Sequence, residues 1–585
     1  MTEQATPSAD RGLSSADEER LESWKEIASY LKRDVRTVQR WERRGGLPVH
    51  RREENLGGVY AYRSELDAWR TNTNSGLAAG FHAAATPRRS RIFSWILLGV
   101  AAVLLGIGIH WFAETYFASK VVLAVQPFRN LGEKSDDFIP AGLTEEMIAR
   151  LGQLHPERLS VIALMQSGSA ESSDLQSSKF HADYVLEGTV RRINDRVAIT
   201  AQLIQASDHT VAWGNSYERD VKDLLRVQTA VADAIITEVF NKLPHATPQA
   251  RELNRDAYLA YLEGRYFWGL RTAESIQTAI SRFEKSINAD PTYAPAYSGL
   301  SDCYELLGSA PFTTLPPKEA FPKAEAAARK ALQLDDGLAE AHVSLAMAYL
   351  VYEWDFPSAD REFRRALDLR PTYTTAHQFY GYYLTVAGNL REAILERQKA
   401  VDLDPISSVT ASALGDAYYQ ARQFDQTIAQ NQRALELDPR NAVAWVNLGR
   451  AYQQKGMHAE AQATFQKILS AVPDDPAVLA LLGHEYAVSG RHVDAQKAIA
   501  KLQILATHRY VPAIYFAVIY TGIGDKDEAF RWLDAAVSER AEYLVYLGSE
   551  PLADPLRNDP RFSELLKRVG ISAQPIVHPA ANSNP

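Results

Sequence analysis

Trp445-Val446-Asn447-Leu448-Gly449-Arg450-Ala451-Tyr452, followed by Ala461 and Phe465, holds one turn of a pattern that runs through half of this chain. Tyr452 belongs to a column of large side chains: Phe267, Tyr304, Tyr349, Leu384, Tyr418, Tyr452, Tyr486 and Tyr520. The last four steps of that column are each 34 residues. Three positions earlier, small residues recur as Ala346, Gly381, Gly415, Gly449, Gly483 and Ala517. Pro371, Pro405, Pro439 and Pro473 make a third column at the same spacing. A fixed period of this length marks an array of stacked supersecondary units. Each column has a physical task. The small residue lets two helices approach, the large one fills their crossing, and the proline stops the second helix before the next begins.

The pattern resembles the tetratricopeptide repeat. That resemblance implies a right-handed solenoid of about eight helix hairpins over 257–540, with a longer insertion around Ser309 to Pro317. With a C-terminal cap the domain is expected to cover 255–570, leaving 571–585 as a disordered tail. Tetratricopeptide stacks bind peptides or proteins on the concave face of their first helices. Matching positions here are Gln378, Tyr382, Asp416, Tyr419, Arg450, Gln453 and His484. Each also fits an ordinary solvated surface residue, and an Asp416–Arg450 pair between neighbouring repeats would be equally ordinary.

Toward the N-terminus, residues 119–244 alternate strands and helices and predict one α/β domain. Strands are expected at Lys120–Val125, Leu159–Leu164, Asp183–Val190 and Arg196–Ile204, the last two joined through Asn194-Asp195, with a short one at Val211–Trp213. Helices are expected at Gly142–Leu151 and Leu224–Leu243. Pro127-Phe128, Gly142-Leu143-Thr144-Glu145-Glu146, Ala182–Gly188 and Trp213 resemble the TolB N-terminal-like domain, which implies envelope interaction or sensing. Glu145 and Glu146 point about 100° apart on a helix and cannot share a target, so they read as a charged helix start.

Between Arg91 and Glu114 lie 22 residues without a formal charge. About 20 apolar residues suffice to cross a bilayer. Residues 92–112 are therefore expected to form a single transmembrane helix with Trp95 and Trp111 near its ends. Arg88, Arg89 and Arg91 precede it, which would leave the N-terminus in the cytoplasm and the larger part outside the inner membrane.

The first 91 residues hold 16 Lys and Arg against 13 Asp and Glu, a net +3, so the remainder of a chain of net −9 carries −12. Residues 1–20 read as a disordered lead and 73–91 as a linker. In between, Trp24, Ile27, Ala28 and Leu31 form one helical face, Asp34 suits an N-cap, and Val35–Arg43 continues as a second helix. Leu47–Arg52 and Val59–Tyr62 suggest a strand pair around Glu53–Gly58, and Arg63–Trp69 a closing helix. Trp24–Ala28, Arg36–Trp41, Leu47-Pro48 and Ser64–Trp69 resemble the winged helix-turn-helix of the MerR and excisionase families. The resemblance makes 21–72 a DNA-binding domain. Its second helix and wing place Arg36, Thr37, Gln39, Arg40, Arg43, Arg44, Arg51 and Arg52 on DNA. Residues 32–52 contain eight basic and two acidic side chains, enough to meet several phosphates. So small a unit buries only about 600–1,000 Å² on DNA, which favours a homodimer.

A single cysteine, Cys303, excludes an intrachain disulfide and any Cys-rich zinc site. The sequence carries no phosphate loop, zinc-protease or nucleophile-elbow motif, and its histidines lack metal-ligand spacing. No enzyme activity, catalytic residue, metal or cofactor is expected. The whole resembles one-component regulators of the ToxR type, which implies a multidomain, mainly α chain: winged helix-turn-helix, transmembrane helix, α/β domain and solenoid. Its partners would be DNA, the membrane and a protein or peptide. The alternative is a membrane-tethered scaffold for envelope proteins that does not bind DNA.

Overall fold

The computed structural model describes residues 20–51, 58–77, 120–153, 158–164, 182–220, 223–240, 254–309 and 314–572. Two units divide the chain between Phe117 and Ala118, each with its own core.

In the first unit, Ser23 caps helix α1 (Trp24–Tyr30) by accepting from the Glu26 amide, and Asp34 caps α2 (Val35–Gly45) by accepting from the Thr37 amide at 2.9 Å. Such caps satisfy amides that lack an intrahelical partner. Gly46, at φ 63°, ends α2. Strands β1 (Arg20–Leu21), β2 (His50–Arg51) and β3 (Val59–Tyr62) form a small antiparallel sheet with β3 central, and α3 covers Arg63–Leu77. Ile27, Ala28, Leu31, Val38, Leu47, Val59, Ala61 and Leu66 make the core, with Trp41 against Trp69 at its edge. Of the expected wing tip, Glu53–Gly58, residues 53–57 lie outside the described residues. So does most of the expected lead and linker.

The second unit opens with a mixed sheet. Strands β4 (Val121–Val125), β6 (Leu159–Ala163), β7 (Tyr184–Ile193), β8 (Arg196–Gln205) and β9 (Val211–Asp220) lie in the order β6-β4-β7-β8-β9, and β5 (Arg129–Asn130) pairs with β7. β4 is parallel to β6 and β7, whereas β7, β8 and β9 are antiparallel. Asn194 at φ 55° makes the tight β7–β8 turn. Val197, Ile199, Ala201 and Leu203 alternate into the core, as period-two strand geometry requires. Helices Phe138–Gln153 and Leu224–Phe240 complete this layer.

Eight helix hairpins follow: 255–269 with 273–289, 294–308 with 317–334, 339–348 with 356–369, 374–386 with 390–403, 408–420 with 424–437, 442–454 with 458–471, 476–488 with 492–506, and 513–523 with 526–539. The reason for the small column is visible at Gly449, where an added Cβ would lie 2.5 Å from a ring carbon of Phe465. A second register concerns the backbone. Trp354, Gly388, Arg422, Gly456, Gly490 and Gly524 are spaced by 34, and all adopt positive φ between 61° and 87° after the first helix of their hairpin. Four are glycine, the residue that takes this conformation without steric cost. Trp354 and Arg422 take it despite a side chain.

The two layers of the second unit share a core. Tyr258, Leu262, Tyr293 and Ala296 of the first hairpins pack with Leu143 and Met147 of the helix Phe138–Gln153. Glu146 accepts from Tyr258 Oη (2.8 Å) and Gln228 Nε2 (2.7 Å), and Arg265 clamps Glu145 through two 3.0 Å bonds while also reaching Asp302. Burial pushes the Glu146 carboxyl up to about 7. The adjacent glutamates are thus joints between layers rather than a bare helix start.

The expected fold needs correction in one element, and the expected location falls with it. Among the described residues no helix is long and apolar enough to cross a membrane. Even the 18-residue helix Pro317–Leu334 carries Lys318, Glu319, Lys323, Glu325, Arg329 and Lys330, whereas a span needs about 20 predominantly apolar residues. Residues 92–112, where the single-pass helix was expected, lie outside the described residues. The membrane-spanning architecture, the membrane as partner and the inner-membrane topology are accordingly withdrawn.

Candidate DNA-reading face and interaction groove

α2 presents its basic side chains away from the core that Val38 fixes. Arg36, Arg40 and Arg43 are exposed and Gln39 is half-buried. Thr37 belongs to the cap instead, its hydroxyl donating to Asp34 at 2.7 Å. Arg51 lies on β2 and donates to Glu42 of α2 at 3.0 Å, so any phosphate would have to draw it from that pair. The side chain of Arg44 and all of Arg52 lie outside the described residues.

Six of the seven expected groove residues do not face solvent. Tyr382, Tyr419, Arg450, Gln453 and His484 are buried, and Asp416 is largely so. What covers most of them is the chain's own C-terminal segment, residues 541–557, comprising two short 3-10 turns, Glu542–Tyr546 and Pro551–Leu556. Tyr546 stacks on Tyr382 with ring centroids 4.6 Å apart, and its hydroxyl donates to Asp416 (3.3 Å). Glu550 accepts from Arg450 (2.5 Å) and from Tyr419 Oη (3.1 Å), while Ser549 donates to Gln420 (2.8 Å). The Arg450 guanidinium also lies over the Tyr419 ring at 4.0 Å and within 3.7 Å of Asp416. Gln378 is half-buried and takes no part in these contacts.

Two groove residues were not anticipated. Arg397 donates to Asp416 (2.8 Å) and to the Ala413 carbonyl (2.6 Å), and Arg422 forms a two-pronged bond, 2.7 Å on each arm, with Asp554. Both are legible as breaks in a column. Arg397 and Asn431 stand where Phe363 and Phe465 fill the hairpin crossing in register, and Arg422 stands where four other repeats place glycine. Departure from a local rule that the other repeats keep marks a place where something other than stability chose the residue.

Gln453 and His484 continue the row beyond the segment. Gln453 Nε2 donates to His484 Nδ1 (3.0 Å) and to Glu485 (2.9 Å). Burial holds the His484 imidazole down at about 4, so at pH 7 it is the neutral acceptor this bond requires. A folded-state value below the unfolded one favours the fold above the unfolded value and withdraws that support as pH falls through the folded value. The melting temperature should therefore drop between about pH 6.5 and 4. His484→Asn should melt lower at pH 7.5 yet lose less across that interval in a thermal-unfolding series. An identical pH slope in both chains would remove His484 from the cause.

Family profiles match two parts of the second unit. The tetratricopeptide-repeat family profile matches residues 418–484. Residues 119–234 match the second domain of HilA/YgeH-like transcriptional regulators, rather than the TolB-type domain expected. The chain thus contains tetratricopeptide repeats and a HilA-like regulator domain. Over 279 residues it is 24% identical to the transcriptional regulator HilA of Salmonella typhimurium, covering 46% of this chain and 49% of HilA. A Rhizobium meliloti protein provisionally named adenylate cyclase 3 is 29% identical over 192 residues, 31% of this chain and 32% of its own length. The chain spans half or less of the length of these curated relatives. Among solved structures, a thermophilic tetratricopeptide protein of Thermus thermophilus aligns with 33% of this chain and 98% of its own at TM-score 0.29 and 18% identity. Human IFIT1 in complex with m7Gppp-AAAA aligns with 59% and 76% at TM-score 0.39 and 16% identity.

Proposed function

We propose that this protein is a transcriptional regulator whose N-terminal unit binds DNA through α2 and whose solenoid binds a protein partner. The observation that carries the reading is the face of exposed Arg36, Arg40 and Arg43 with half-buried Gln39 on a capped helix, in a chain that also contains a HilA-like regulator domain. The helix, turn, helix and flanking strands suit a winged helix-turn-helix of the MerR kind, in which the second helix enters the major groove. Dimerisation on DNA would supply the affinity that so small a head lacks. The repeats supply the protein-binding half of the reading, since tetratricopeptide arrays act as interaction surfaces.

The test is selection of binding sites from a random duplex pool by the full chain at low salt. Arg36→Ala and Gln39→Ala should each relax sequence preference by about 1–3 kcal/mol, the worth of one good base contact. Arg40→Ala or Arg43→Ala, if they meet phosphate, should weaken all sequences alike and flatten the salt dependence by about one ion. A chain that enriches no sequence overturns the DNA half and leaves a protein-assembly scaffold.

A further inference from the structure

We propose that the groove lined by Arg397, Arg422 and Arg450 is a receptor for an acidic peptide of a partner protein, and that residues 541–557 are its built-in occupant. The proposal rests on the protein-binding half of the reading above and names the ligand that half would take.

Charge makes the first argument. The groove carries three guanidinium groups from neighbouring hairpins, and its own carboxylate Asp416 meets two of them, Arg397 and Arg450. Left alone it would keep two uncompensated positive charges. The occupant supplies Glu550 and Asp554, four residues apart, each to a different groove arginine, Asp554 being shared with the occupant's own Arg557 at 2.7 Å. Tyr546, four residues earlier again, supplies the aromatic ring that Tyr382 receives. An aromatic followed by carboxylates at the fourth and eighth positions is therefore the ligand pattern this surface selects.

The second argument is that the surface is built at a cost. A non-glycine residue in the left-handed region sacrifices about 1–3 kcal/mol, and held in that region it is a recurrent sign of a ligand clamp. Of the six positions in that register, two are not glycine. Arg422 grips Asp554 of the occupant, and Trp354 lies under Arg540, the residue just before it, 4.0 Å from ring to guanidinium. Arg397 likewise gives up an apolar crossing position to reach into the groove.

Third, the occupant satisfies the groove incompletely. Tyr382 Oη and Arg397 Nε are buried without a hydrogen-bond partner, and the Arg397–Tyr546 and Gln420–Glu550 bonds are long, at 3.5 and 3.4 Å. Buried polar atoms without partners weaken a docked state, so a ligand that meets them competes effectively. Leu544, Leu552 and Leu556 seat the occupant in the core, which sets the threshold a competitor must overcome.

The probe is a labelled synthetic peptide of residues 541–558, titrated into the full chain and into a full chain carrying Glu550→Gln and Asp554→Asn. The substituted chain should bind it at least ten-fold more tightly than the native chain, whose groove is filled. Adding Arg422→Gly, which places at that position the residue four other repeats carry, should weaken binding at least ten-fold without unfolding the hairpin. A peptide with Gln and Asn at the two acidic positions should fail. On the native chain, saturating peptide should raise amide exchange within 542–557, which keeps the test decisive if the substituted chain misfolds. Equal binding of acidic and neutral peptides, no binding to the opened groove, or unchanged exchange in the native chain would each overturn the proposal. Binding of a peptide with Lys at both positions instead would overturn it while leaving the protein-binding reading intact.

Discussion

Replacing Arg450 with methionine will release the C-terminal segment and destabilise the hairpins around it by about 3–5 kcal/mol, the usual penalty for removing one partner of a buried ion pair. The side chains of Arg450 and Glu550 are 8% and 12% exposed, so the abandoned carboxylate gains little from water. Asp416 and Tyr419 lose their shared cation in the same step. The companion variant Glu550→Gln leaves the arginine behind with Asp416 and should cost less. The double variant should recover part of the loss, because replacing both members of a buried pair is far milder than orphaning one. Urea unfolding gives the magnitudes, and proteolysis within 541–571 reports the release. Near-native stability in Arg450→Met would show that water reaches the pair and screens it.

Gly449→Trp should be at least as damaging, by another route. The first carbon of any side chain at 449 already meets the ring of fully buried Phe465. Overpacking by a methylene or two costs about 1–3 kcal/mol. An indole leaves no room for Phe465, and expelling a buried phenylalanine alone costs about 3–5 kcal/mol. In an array each repeat is held by its neighbours, so the hairpins 408–437 and 476–506 should lose protection with 442–471. Hydrogen exchange resolved by hairpin measures this. Phe465→Ala in the same chain should restore part of the loss, and no rescue would mean that the indole turns elsewhere.

Much of the fold could be read because its causes are local. Helix caps, the small-and-large columns and the alternation of β7 and β8 each act within a few residues or one repeat. Short elements escaped: β1 and β5, two residues each, have no period to detect, and β9 runs to Asp220, well past the Val211–Trp213 expected. The groove escaped for a different reason. Tyr382, Asp416, Tyr419 and Arg450 lie on the first helices of their hairpins, but nothing near them in sequence announces that a segment some 130 residues later comes back to cover them. Arg397 and Arg422 could have been found, since each departs from a column, the first held by Phe363 and Phe465 and the second by glycine in four other repeats. The joints at Glu145 and Glu146 could not, because Arg265 and Tyr258 lie more than a hundred residues away.

The reach of that returning segment fixes an order of assembly. Arg422 and Asp554 are 132 residues apart in the chain, whereas successive hairpins meet across about 34. Closing the longer loop from a disordered chain costs about 1 kcal/mol more than closing the shorter. The larger hindrance is that Arg397, Arg422 and Arg450 form a single receiving surface only after three hairpins have stacked. Stacking therefore comes first and the segment docks last. Every newly made copy passes through an interval with its groove open, when an acidic chain of a partner competes only with the effective concentration of the tethered segment and not yet with its seated leucines.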